Sequence, residues 1–296
     1  MSDAPWTIGR LLTWTTDYLK KQGRQSPRLD AELLLARALG CERIELYTRY
    51  AEEPDERTRA KFRDLVKQRA AGKPVAQLLG YKEFFSLKFR VTIDTLTPRP
   101  ETETLVVFAL DRAREVVAHN GAVRVGDIGT GAGPIAITLA SQLPEATFVA
   151  TDVSDAALAI ARENAATHKV AERIQFRAGD LLDPLEEDES FHVICANLPY
   201  VGEREYPEAS VDVRDYEPQV ALVGGPEGNE IIERLIAAAP ERLKPGGWLV
   251  CEASPQLMSP LSDAFAKAGA YEDVQILRDT AGMERVIAGR RKHFAG

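Results

Sequence analysis

A mostly parallel α/β sheet with helices on both faces, preceded by a small helical domain, is the fold class the sequence predicts. From Glu101 onward, apolar β-rich runs alternate with helical patterns, the signature of a parallel sheet crossed over by helices. Before Gly80 the apolar spacing is helical throughout. The last two β-rich runs flank only the tripeptide TAG, so the sheet is expected to finish on an antiparallel hairpin. With 296 residues, the chain is long enough for a medium domain and a smaller one, each burying its own core.

In the helical part, Ile8, Leu11, Leu12, Thr15, Tyr18 and Leu19 recur on one helical face. The stretch SPRLDAELLLARALG opens on a Ser-Pro start signal and stops at Gly40. A third helix is expected from Asp55 to Ala71, carrying Phe62, Leu65, Val66 and Arg69, with Gly72 and Pro74 past its end. These helices make a small bundle over residues 1–82. EFFSLKFRVTIDTLTPRP, rich in aromatic and β-branched residues and broken at Ser86 and Asp94, reads as a hairpin linker over 83–98. Residues 99–296 then hold a helix to His119 and the strands VRVGDI, TFVATD, RIQFRAGD, FHVICAN and GWLVCEA, followed by EDVQILRD and MERVIAGR. Arg99 and Glu101 to Glu103 fall at the junction and are placed to touch either domain.

The net charge of −8 argues against a protein built to hold a phosphate backbone. Cys41, Cys195 and Cys251 lie far apart with no CxxC pairing, which disfavours a zinc site or a disulfide framework and suits a reducing compartment. MSDAPWTIGR lacks a basic segment followed by an apolar run, and no uncharged apolar run reaches the ~18 residues of a membrane span. A soluble, cytoplasmic protein is expected, with no metal and no membrane.

VRVGDIGTGAGPIAITLA places Gly129, Gly131 and Gly133 between the first strand of the sheet and a helix, where the backbone can approach a ligand beside exposed N–H groups. A glycine turn alone is weak evidence, and such turns are often only turns. It gains from Asp152, which ends the next strand and can accept from both hydroxyls of a ribose. A dinucleotide would call for G-x-G-x-x-G, but its last position here is Pro134. The spacing is G-x-G-x-G after Asp127, with no lysine or arginine to clamp phosphates. A nucleoside without phosphates fits better, and S-adenosylmethionine is the common one. Asp180, ending FRAGD, is then an acceptor for the adenine amino group, with Leu181 against the ring. Each aspartate taken singly reads as readily as a helix cap; their order at successive strand ends outweighs that.

In ANLPYVGE, a buried run breaks into an amide, a proline and an aromatic. If the methyl acceptor is a planar NH2 group, its lone pair is delocalised; the ~18–20 kcal/mol barrier to peptide rotation measures how firmly amides hold that resonance. Such a nitrogen is activated by accepting hydrogen bonds from both its N–H groups. The side-chain oxygen of Asn197 supplies one acceptor and the backbone carbonyl of Leu198 the other. Pro199 biases Leu198 toward an extended conformation, and Tyr200 offers a flat face. No general base is needed, and His119, His168, His192 and His293 are assigned no catalytic part. By itself NLPY would be a strand followed by a proline turn; the upstream glycines decide otherwise.

With these residues in view, the sequence resembles the class I S-adenosylmethionine-dependent methyltransferases and, within them, the peptide chain release factor glutamine methyltransferases called PrmC or HemK. The resemblance rests on QRAAGKPVAQLLGYKEFFSLKFRV, TLTPRPETETLV, DIGTGAG, ANLPYV, YEPQVALVGGPEGNEII and DTAGMERVI, and covers nearly the whole chain. It implies a Rossmann-like class I methyltransferase domain and a helical N-terminal domain that helps recognise the substrate. The implied reaction is methylation of the glutamine side-chain amide in the Gly-Gly-Gln motif of class 1 release factors. Carried over by position, the cofactor contacts Gly129, Thr130, Gly131, Ala132, Gly133, Asp152, Leu181 and Asn197, and Asn197, Leu198, Pro199 and Tyr200 hold the glutamine. The sequence departs from the family at Leu198, usually proline; at Leu181, often tryptophan; and at Ser254, commonly glycine.

NLPY is also familiar in rRNA adenine dimethyltransferases, so an adenine amine on nucleic acid remains an alternative acceptor, as does a glutamine of a ribosomal protein. The missing cationic stripe speaks against the first. A silent scaffold would show decay in the turn or the clamp, and a nicotinamide enzyme is disfavoured by the glycine spacing. The expected partner is therefore a class 1 release factor, without direct nucleic-acid contact, bound by a monomer.

Overall fold

The computed structural model describes residues 5–293; residues 1–4 and 294–296, the outer ends of the two expected domains, lie outside the described residues. The chain divides into two compact units, 5–81 with 210–216, and 82–209 with 217–293.

In the first unit, α1 (Ile8–Lys21) starts where the Thr7 side chain accepts from the Arg10 amide, and α2 (Pro27–Leu39) ends on Gly40 in the left-handed region. Two short helices follow the sequence reading less closely: α3 (Glu45–Thr48) and α5 (Val75–Leu79) flank α4 (Glu56–Ala70). At four and five residues, neither is long enough to show a helical period. Ile8, Leu12, Leu19, Leu34, Leu35, Phe62 and Val66 interlock as the core. Arg69, expected on the apolar side of α4, is indeed buried, held by Asp30 at 2.7 Å and by Asp212 at 2.6 Å.

The second unit opens on the hairpin β1 (Tyr81–Phe84, Tyr81 itself counted with the first unit) and β2 (Leu87–Arg90), turned by Phe85 and Ser86 at φ 50° and 62°. Phe84 and Phe89 sink into the core of this unit, so the hairpin is part of the sheet domain's packing. Helix α6 (Thr102–Asn120) leads into β3 (Val123–Ile128), α7 (Pro134–Gln142), β4 (Ala146–Asp152), α8 (Asp155–Thr167), β5 (Ile174–Ala178) and β6 (Phe191–Ala196). The short pair β7 (Val201–Gly202) and β8 (Val223–Gly225), α9 (Val211–Arg214, counted with the first unit), α10 (Glu230–Arg242), β9 (Leu243–Glu252), α11 (Met258–Ala268), β10 (Tyr271–Arg278) and β11 (Glu284–Arg291) complete the chain.

The main sheet runs β10-β11-β9-β6-β3-β4-β5. Its pairings are parallel from β9 to β5 and antiparallel at β11 and β10, the mostly parallel sheet with a closing hairpin that the sequence predicts. Val193, Cys195 and Val250 face one core with α6 and α7, while Ile194, Ala196, Leu249 and Cys251 face the other with α10 and α11. Covering both faces leaves the carboxyl ends of β3, β4, β5 and β6 as the open edge where a ligand can enter.

Candidate active site

At that edge lies a cleft lined by Gly129 to Ala132, Ile135, Asp152, Val153, Asp180 and Leu181, and on its other wall by Arg99, Thr102, Asn197, Leu198 and Pro199. The glycine turn adopts the backbone its sequence calls for, with Gly129, Gly131 and Gly133 at φ 73°, 55° and 85°. At Gly129 there is a steric element as well: a Cβ there would stand 2.7 Å from Cδ2 of Leu198, so the turn meets the clamp closely across the cleft. Gly133 caps α7 from behind the turn and does not line the cleft.

Two aspartates organise the turn. Asp127 is fully buried, its Oδ2 accepting from the Thr130 hydroxyl at 2.6 Å and the Ala136 amide at 3.0 Å. Burial pushes its carboxyl up to about 6 against those two hydrogen bonds, and Oδ1 has no partner among the described residues. Asp152 accepts from the Gly131 amide at 2.8 Å and the Ser154 amide at 2.9 Å, and burial raises its carboxyl while these bonds lower it. It ends β4 on the cleft wall, with lone pairs to spare for a diol.

Asp180 stands in the cleft as predicted, but its Oδ2 is engaged by Arg234, an ion pair from helix α10 that the sequence reading did not contain. Leu181 holds φ 46°, with its carbonyl accepting from the Thr151 hydroxyl at 2.9 Å and its side chain on the cleft.

In the acceptor stretch, the structure brings Asn197, Leu198 and Pro199 to the cleft and leaves Tyr200 off its lining. Tyr200 packs on the apolar core below and donates its hydroxyl to Oε1 of Glu252 at 3.3 Å, because a buried phenol needs a partner. Asn197 donates from Nδ2 to the Thr102 hydroxyl at 3.1 Å, which leaves its Oδ1 without a partner among the described residues. The Leu198 carbonyl likewise accepts no hydrogen bond among them. Two unused acceptors thus stand side by side on the cleft wall.

The backbone of this stretch is fixed by a second segment. Val201 donates to the Leu222 carbonyl and Glu203 to that of Gly225, pairing β7 with β8. Gly224 lies so close to the Pro199 carbonyl oxygen that a Cβ would come within 2.3 Å of it. Arg99 reaches the cleft from a pairing with buried Glu217 at 2.6 Å. Asn164, buried on α8, accepts from the Arg90 amide at 2.8 Å and donates to the carbonyls of Arg90 and Ala132, tying the hairpin to the glycine turn. Sequence reasoning missed Thr102, Asn164, Gly224 and Glu252. The only signal was a carboxylate closing the apolar run GWLVCE.

Comparison with known proteins places the chain. Residues 10–80 match the PrmC N-terminal domain and residues 119–273 a methyltransferase domain. The chain is 46% identical over 287 residues to the release factor glutamine methyltransferase of Rhodopirellula baltica, covering 97% of both chains. The chain belongs to the release factor glutamine methyltransferase family. Another member of that family, from Geobacter sulfurreducens, is 38% identical over 98% of this chain and 99% of its own. Among solved structures, the hMettl16 catalytic domain in complex with the MAT2A 3′UTR hairpin 1 overlays with TM-score 0.57 at 18% identity, over 78% of this chain and 81% of that one. A methyltransferase from Pyrococcus furiosus does so with TM-score 0.53 at 18% identity, over 77% and 98%. At that identity these two show the shared fold, a Rossmann-like methyltransferase sheet. The chain pairs a PrmC-type N-terminal domain with a methyltransferase domain. No described helix is long and apolar enough to cross a membrane.

Proposed function

We propose that this protein transfers a methyl group to the side-chain amide nitrogen of the glutamine in the Gly-Gly-Gln motif of class 1 peptide chain release factors. The observation that carries the reading is a pair of acceptors without a partner among the described residues, Asn197 Oδ1 and the Leu198 carbonyl, beside the glycine turn in a chain so similar to named release factor glutamine methyltransferases. The cleft suits S-adenosylmethionine: a carboxylate at Asp152 for the ribose, apolar Ile135, Val153 and Leu181 for a flat base, and no cation on the turn for a phosphate. That cofactor, when bound, supplies the electrophilic methyl group.

The remaining chemistry belongs to the chain's own residues. Accepting hydrogen bonds from both N–H groups of a primary amide, Asn197 and Leu198 fix the nitrogen in the cleft and favour the positive charge that develops on it as a bond to carbon forms. Positioning of this kind is worth up to about 7–11 kcal/mol, so no dedicated base is required. The proton leaves once the nitrogen is alkylated and acidic, when water suffices to take it.

Methyl transfer from labelled S-adenosylmethionine tests the reading, with a purified class 1 release factor, a copy whose motif glutamine is alanine, and ribosomal RNA as parallel acceptors. Label on the intact factor alone supports it, and Asn197→Ala is expected to reduce that transfer at least about a hundredfold, read as kcat/KM. Label on RNA, or on both factors equally, sinks it.

A further inference from the structure

On the wall that carries the clamp, Arg99 is the one basic side chain lining the cleft among the described residues. Its Nη2 donates to Oε2 of Glu217 at 2.6 Å, and the Thr97 amide donates to Oε1 at 3.4 Å, so both carboxylate oxygens are taken. The Glu217 side chain is 1% exposed, whereas that of Arg99 keeps 36%. Burial raises the Glu217 carboxyl, and the guanidinium beside it pulls it down again. The remaining donors of Arg99, on Nε and Nη1, have no partner among the described residues. From Glu217 the chain runs directly into Pro218, Val220 and Ala221 on the cleft, and then to Leu222, whose carbonyl accepts from Val201 just past the clamp. The ion pair is therefore built into the wall that holds Asn197 and Leu198, with its unused donors toward the cleft.

Donors are otherwise scarce there. Pro98, Pro199 and Pro218 line the cleft without a backbone N–H to give, and the clamp itself offers acceptors. A glycine-rich acceptor peptide, once its glutamine amide is engaged, has only backbone groups by which to be held, and its carbonyls need donors. An anion is the poorer match for Arg99. Glu217 already neutralises the guanidinium, and Asp94, Asp152 and Asp180 add negative charge around the same cleft. A neutral carbonyl needs only directed N–H groups, and a fork held by a buried carboxylate is in place before the peptide arrives. We propose that Arg99 binds main-chain carbonyls of the acceptor peptide beside its target glutamine, with Glu217 as the residue that positions the guanidinium. The inference rests on reading this cleft as the seat of the Gly-Gly-Gln motif. It divides the work of recognition: the clamp reads the amide, and Arg99 reads the backbone and so sets how far the glutamine reaches toward the glycine turn.

The test compares full-length wild type with Arg99→Met, the double variant Arg99→Met/Glu217→Gln and Asn197→Ala, each checked for a wild-type far-UV spectrum and a cooperative melt. The double variant is needed because Arg99→Met alone strands a buried carboxylate and can unfold the wall. Binding of a class 1 release factor, and of a copy whose motif glutamine is alanine, is measured by fluorescence anisotropy with the enzyme saturated by S-adenosylhomocysteine. The double variant should bind both factors about ten- to a hundredfold more weakly than wild type does, since the backbone carbonyls are present in each. Asn197→Ala should weaken only the factor that keeps its glutamine. S-adenosylhomocysteine and 5′-methylthioadenosine, which lacks the amino-acid carboxylate, should each bind the double variant within about threefold of wild type. In turnover the loss should fall on KM for the release factor more than on kcat. Unchanged affinity of the double variant for both factors overturns the proposal. So does a loss confined to S-adenosylhomocysteine, which would give Arg99 to the carboxylate of the cofactor. Either result beside normal methylation of the factor by wild type sinks this inference alone, whereas a wild type that neither binds nor methylates the factor sinks the functional reading and this inference with it.

Discussion

A Cβ on Gly224 would stand 2.3 Å from the Pro199 carbonyl oxygen and 2.5 Å from that of Gly228, and backbone atoms have no rotamer by which to step aside. Gly224→Ala must therefore move the segment that follows Asn197 and displace the Leu198 carbonyl, while the glycine turn on the opposite wall is untouched. The expected outcome is a fall in kcat of about a hundredfold with cofactor affinity changed less than about threefold, measured by steady-state kinetics beside a binding titration. Loss of cofactor binding in proportion would place Gly224 in the wrong wall. At this scale the sequence discloses residues whose chemistry is local. Asp152 and the glycines announce themselves by spacing, and the amide and proline of NLPY by their oddity after an apolar run. Glu252, Thr102 and Gly224 do not, because each matters through a neighbour tens of residues away, a distance no local pattern encodes. The phenol of Tyr200 illustrates the limit: aromatic character suggested a face for the substrate, whereas burial made its hydroxyl the group that had to be satisfied.

Among the elements, α4 shows how far periodicity reaches. Its apolar face, Phe62 and Val66, follows the predicted spacing, and Arg69 continues that face into the interior. An arginine on such a face requires a carboxylate, and Asp30 on α2 is the one that meets it, with Asp212 completing the site and also pairing with Arg24 at 2.5 Å. Burial raises the Asp30 carboxyl, and the adjacent guanidinium pulls it back toward its ordinary range. Removing the cation leaves an uncompensated buried carboxylate. Arg69→Ala is accordingly expected to cost about 3–5 kcal/mol in urea unfolding, a loss far larger than the ~0–1 kcal/mol typical of exposed pairs. A cost at the exposed-pair level would mean that the site is hydrated. The helices themselves were legible from caps and spacing, but their ion-pair partners were not: which helix crosses α4 is decided by packing.

Over the whole molecule, the sheet was the most legible feature, since strands buried on both faces read as unbroken apolar runs and helices between them leave a 3.6-residue period. The same two-sided burial has a thermodynamic consequence. Glu252 lies at the end of such a strand, and its carboxyl is pushed up to about 7 by desolvation, against about 4.5 for the group in water. Because the folded state holds this proton more tightly than the unfolded chain, the stability that Glu252 contributes is fully present below pH ~4.5 and is lost as pH rises through about 7. Relative to Glu252→Gln, in which position 252 does not titrate, wild type should become less stable by up to about 3 kcal/mol between those limits. Urea unfolding of both proteins across about pH 4.5 to 8.5 measures this loss. A stability difference flat in pH would show that Glu252 keeps one protonation state throughout.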